Sequence, residues 1–127
     1  MSIQNGAEGK TWLELQQRTC QKAGAAFVPP EAGMRVAVAR DIREGVMPVN
    51  GLRHAVKQGG VGWFIWPGEG PLCQDTDYFV PVCIEHLDTW CPLALPFLGL
   101  PPGWRFLTDG PYVDMWFDQK IYDLPID

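Results

Sequence analysis

Cys73, Cys83, His86 and Cys91 are the side chains of this sequence best equipped for chemistry, three thiols and an imidazole within one short stretch. Such a set can close a tetrahedral zinc site, and the short interval between Cys83 and His86 suits two ligands of one ion. The paired-cysteine knuckle common in zinc domains is missing, however. Cys83 also lies in an apolar run, where a reduced thiol behaves as a small hydrophobe. The same residues contain a thiol–imidazole option, with Cys83 or Cys91 as nucleophile and His86, beside Glu85, as base. Adjacency in sequence does not place a base on a nucleophile, and His54, near Arg53 and Lys57, adds nothing to it. No activated-serine motif is present, and Gly68-Glu69-Gly70 lacks the lysine and hydroxyl ending of a phosphate loop. The reading is a protein with no catalytic residue, no cofactor and no bound metal.

Recognition is the better-supported chemistry. From Val61 onward ten carboxylates face only Arg105 and Lys120, and five of the six tryptophans lie there, whereas the residues before Val61 carry eight basic and five acidic side chains. A basic first part is thus followed by an acidic, aromatic second part, within a chain of net charge −5. The candidate partner-binding group is Asp75, Asp77, Tyr112, Asp114, Trp116 and Asp118. Carboxylates can pair with lysine or arginine of a partner, and the rings bury large rigid areas at small rotamer cost. The competing reading makes these carboxylates ordinary solvated positions and packs the aromatics beneath a helix. The pI of 4.9 argues against a nucleic-acid partner, which needs a phosphate-neutralising surface. The most apolar later segment, Trp90 to Pro102, is short and broken by Pro92, Pro96 and Pro101-Pro102, which argues against a membrane span.

A chain of 127 residues with 46% hydrophobic residues suffices for one domain with a real core and no disulfide staples. Met1 to Lys10 lacks the pattern of an export signal and reads as a flexible lead, with residues 11–127 as one domain. A cytoplasmic location and reduced cysteines follow as expectations. Thr11 to Glu14 matches a capping box, so a helix is predicted from there to about Ala23, with Gly24 as its stop. Met34, Val36 and Val38 alternate with Arg35, Ala37 and Ala39 as a half-buried strand, and Asp41 to Gly45 reads as a turn or a single helical turn. Val46 to Val49 is a brief extended piece, and Leu52 to Lys57 is ambiguous between strand and short helix.

Val61 to Trp66 is apolar on both faces and predicts a central strand, in which Trp63 and Trp66 are core. Tyr78 to Ile84 predicts a strand whose interior Pro81 favours an edge. Pro92 to Leu98 can form a short helix. Trp104 to Leu107 and Tyr112 to Phe117 read as a hairpin, with Tyr112, Asp114 and Trp116 on one face and Arg105 able to hold Asp114 or Asp109 across it. The fold class expected is a small α+β domain with a mainly antiparallel sheet of about four to six strands and one principal N-terminal helix.

Val38 to Gly45, then Pro48-Val49 and Gly62 to Glu69, resemble the pattern of small α+β immunity proteins of bacterial polymorphic-toxin systems. Gly99 to Phe106 and Asp114 to Asp118 are similar to the C-terminal signature of a branch of that group, so the resemblance spans about residues 34 to 118. It implies an antitoxin that binds and neutralises a cognate toxin or effector in competition between bacteria. Alternatives are a small homodimeric binding or regulatory module and, third, a cysteine–histidine hydrolase.

Overall fold

The computed structural model describes residues 5–31, 33–55, 62–70 and 76–123. Helix α1 runs Asn5–Ala23, beginning before the expected capping box, so Thr11 lies inside the helix and residues 5–10 are helical rather than a loose lead. Its end is where the sequence places it. Gly24 takes a left-handed φ of 73°, and the amide of Ala25 donates to Cys20 O at 2.9 Å, closing the last turn.

Six strands follow: β1 (Arg35–Ala39), β2 (Val49–Arg53), β3 (Trp63–Pro67), β4 (Phe79–Cys83), β5 (Trp104–Thr108) and β6 (Val113–Phe117), with short helices α2 (Leu87–Trp90) and α3 (Gln119–Asp123). They form one sheet in the order β4-β1-β3-β2-β5-β6. Only β1 and β3 run parallel; every other neighbouring pair is antiparallel. The expected α+β class and mainly antiparallel sheet are therefore correct. β3 is interior and β4 is an edge, as its proline requires.

Strand alternation divides the sheet into two faces. Val36, Val38, Val49, Trp63, Ile65 and Phe106 point to one face and join the main core with Cys20, Leu87, Cys91 and the 3-10 segment Pro92–Phe97, on which α1 lies. The opposite face carries a smaller cluster of Ala39, Leu52 and Trp66, against which Phe64, Phe79 and Ile121 of α3 pack. Trp63 and Trp66 are both buried, as expected for core. β1 is more enclosed than its alternation suggests, because Ala39 belongs to this second cluster and Ala37, on the same face, is also buried.

β2 is the element the sequence conceals. Val-Asn-Gly-Leu-Arg is buried at every position and sits between β3 and β5. The expected extended piece at Val46 to Val49 and the ambiguous Leu52 to Lys57 segment straddle the real strand; residues 56 and 57 lie outside the described residues. Gly51 is required by close packing, since the ring of Phe106 occupies the place a Cβ would take.

Candidate partner-binding surface

The described members of the cysteine–histidine group do not assemble. Cys83 stands opposite Arg35, on the sheet face away from α1, while Cys91 is enclosed in the main core on the other side and His86 is exposed. Burial pushes the Cys91 thiol up, against the smaller pull of backbone contacts from Ala94 and Leu93, so it is held in the protonated, non-nucleophilic form. Cys73 lies outside the described residues, and among the described residues no group of His, Cys, Asp and Glu could hold a metal ion.

The β5–β6 hairpin does assemble a surface. Its register sets Trp116 across from Arg105 and Asp114 across from Leu107, and all four point to the face away from α1. The reading that packs these aromatics beneath the helix fails for Trp116, which faces the other way and is half-buried. The Arg105 guanidinium lies 5.3 Å from the Trp116 ring centroid and donates from Nη1 to Asp118 Oδ2 at 3.1 Å. Arg105 thus holds Asp118, not the expected Asp114 or Asp109, because Asp118 continues the same alternating face one step beyond Trp116. Desolvation pushes the Asp118 carboxyl up. The Arg105 hydrogen bond, the Lys120 amide at 3.1 Å and the Arg105 charge outweigh it, so the group sits below the ordinary aspartate range.

Asp114 differs from Asp118. It is exposed and has no ion-pair partner among the described residues. Tyr112, at the hairpin tip, is 55% exposed on a turn fixed by four hydrogen bonds. Thr108 Oγ1 donates to Tyr112 O at 2.7 Å and accepts from the Gly110 amide at 3.0 Å. The Tyr112 amide donates to Asp109 Oδ1 at 2.8 Å, and the Asp109 amide donates to Tyr112 O at 3.2 Å. Gly110 supplies the positive φ of 108° that this turn needs. A side chain presented on so tied a loop loses little backbone freedom when a partner binds.

Asp77 is exposed at the start of the Thr76–Tyr78 turn that leads into β4, where Arg40 Nε donates to its carbonyl. β4 and β6 are opposite edges of the six-stranded sheet. Five strand spacings separate them by about 24 Å, so Asp77 does not join the hairpin group. Asp75 lies outside the described residues. The five described residues of the expected six therefore resolve into a hairpin set, Tyr112, Asp114, Trp116 and the internally paired Asp118, and a distant Asp77.

Sequence reasoning missed exposed apolar residues beside this surface, of which Val113 and Phe117 point to the opposite face of β6, with Phe117 at the end away from the tip. Val46, Met47, Val113 and Phe117 are each more than 40% exposed. Val46 and Met47 precede β2, whose Val49 pairs with Thr108, itself paired with Val113, so the loop and the hairpin tip share one end of the sheet. The available signal was an apolar pair set between Gly45 and Pro48, where a turn would ordinarily be polar.

No helix among the described residues is long and apolar enough to cross a membrane. No curated protein and no solved structure gives a significant match. The model of the Imm33-like domain matches residues 15–118, from the middle of α1 to the end of the hairpin, and the chain belongs to that family.

Proposed function

We propose that this protein is an immunity protein of a bacterial polymorphic-toxin system, which binds a cognate toxin or effector in the cytoplasm of the producing cell and neutralises it without catalysis. The observation that carries this reading is the Imm33-like match over nearly the whole fold. The hairpin adds a surface of suitable chemistry: an open carboxylate at Asp114, an exposed ring at Tyr112 on a braced turn, and the partly open indole of Trp116. Asp118 contributes by fixing Arg105 beneath Trp116, leaving Asp114 as the charge that meets basic side chains of the toxin. Asp77 would supply a second contact only to a partner broad enough to reach the other edge, and Asp75 is kept in the proposal on its sequence alone.

Co-purification from the native organism, identification of the bound polypeptide and rescue from its toxicity test this reading. The expected result is a stoichiometric complex with a product encoded nearby and growth restored by co-expression. A protein that retains no such product and rescues cells from no neighbouring gene is not an immunity protein.

A further inference from the structure

We infer that the outer edge of β6 accepts an extended basic strand, so that the partner is bound by completing the sheet. This inference rests on the immunity reading and specifies how the partner is held.

Backbone parity turns amides and carbonyls of β6 outward. In the β5–β6 ladder the Asp109 amide donates to Tyr112 O and the Asp118 amide donates to Gly103 O. These bonds mark 109/112 and 103/118 as pairs that exchange hydrogen bonds, and alternation assigns 107/114 and 105/116 to the same class. Val113 and Met115 belong to the other class, so their amides and carbonyls point away from β5, toward the edge. β6 is the last strand of the sheet, and Val113 is 45% exposed. Among the described residues β6 has no proline, no lysine and an uninterrupted register, and its one charge is the carboxylate of Asp114.

The other edge shows what blunting looks like here. In the β1–β4 ladder the Arg40 amide donates to Tyr78 O and the Ile84 amide to Met34 O, which places Phe79, Pro81 and Cys83 in the outward class. Pro81 removes the central outward donor of β4. One edge is closed by its sequence and the other is left competent.

Side chains set the occupant. Val113 and Met115 line a groove of about 250 Å³ that also includes Leu93, Pro96, Thr19 and Lys22. On the opposite face of the same strand Asp114 is open and Arg105 is already neutralised by Asp118. An added strand therefore meets an apolar groove with one of its faces and a carboxylate with the other, a pattern matched by alternating apolar and basic residues. A second copy of this chain carries a further net −5 and brings another Asp114, so charge favours a basic partner over self-pairing.

The test uses the whole protein, isotopically labelled, and a seven-residue capped peptide alternating valine and lysine. Titration should move the amide resonances of Val113 and Met115 and slow their hydrogen exchange. A peptide alternating valine and glutamate should bind at least tenfold more weakly. Val113→Pro removes an outward donor without breaking the β5 ladder and should weaken peptide binding tenfold or more, whereas Val113→Ala should change it less than threefold. Unmoved Val113 and Met115 amides at millimolar peptide, or equal binding of the glutamate peptide, overturn the inference. So does a dimer in which those amides are protected before any peptide is added, because a second copy then occupies the edge. None of these measurements uses the toxin, so strand addition can fail while toxin rescue succeeds, and the reverse.

Discussion

β2 and β6 are five-residue strands on either side of β5, and their burial runs opposite to their composition. Val-Asn-Gly-Leu-Arg is wholly buried, while Val-Asp-Met-Trp-Phe is exposed or half-buried throughout. Each polar group of β2 is satisfied from a distance. Asn50 Nδ2 donates to Trp66 O at 3.2 Å and Gly68 O at 2.7 Å. Arg53 Nη1 donates to Val28 O at 2.8 Å and Leu100 O at 2.7 Å, with Leu98 O further away at 3.4 Å. β6 spends its apolar residues at the rim. The difference separates a strand that organises the chain's own fold from a strand proposed to meet an outside partner, because buried polar groups are tolerable only when fully bonded.

That division is broken most directly at Arg53. Burial lowers its pKa, against the pull of Cys20, yet the guanidinium is retained because it ties the segment after α1 to the segment after Pro92–Phe97. Arg53→Ala should cost about 3–5 kcal/mol in urea denaturation, from a cavity and carbonyls stripped of their donor. A loss below about 1 kcal/mol would show that water replaces the side chain readily and that β2 is not the organiser. Gly51→Ala should cost roughly 1–3 kcal/mol by forcing the Phe106 ring away from its stack on Phe97, whose centroid lies 4.3 Å off. Thermal melts and the near-ultraviolet aromatic signal measure it. Neither substitution should alter partner affinity at temperatures where the variant remains folded.

The same contrast decides what could be read from the sequence. β3, the Pro81 edge and the hairpin were legible because apolar periodicity, proline and turn residues act locally. β2 was not, since Asn50-Gly51 carries a turn signal that is overridden by bonds to residues 16 to 47 positions away and by a ring packed where a side chain would be. The start of α1 was misplaced for a related reason: a capping-box pattern can occur inside a helix, and Thr11 to Glu14 does. In the site, Tyr112, Asp114 and Trp116 were legible as one alternating face. The Arg105–Asp118 pair was not, because it depends on the exact register across the hairpin and on the start of α3.

Asp114→Lys sharpens the β6 side. With no ion-pair partner to lose among the described residues, it should shift stability by less than about 0.5 kcal/mol. It should weaken association with the cognate toxin about tenfold, or about 1.4 kcal/mol, mainly through a slower and more salt-dependent on-rate. Surface plasmon resonance at two salt concentrations separates these terms. Unchanged binding, with the fold intact, would move the docking surface away from the hairpin.

Asp118 gives the smallest effect and the one with a defined pH sign. Its folded pKa is depressed, with desolvation opposing and Arg105 and the Lys120 amide prevailing. The folded protein therefore binds fewer protons here than the unfolded chain near the ordinary aspartate value of about 3.9. The contribution is present above that value and disappears as pH falls through the folded one. A carbon-detected NMR titration should find Asp118 below the usual range, and Arg105→Ala should raise it. Asp118→Asn should lack this acid-dependent part of the stability. If Asp118 titrates at the ordinary value in the wild type, Arg105 is not held in place under Trp116, and the hairpin surface is less ordered than its bonding implies.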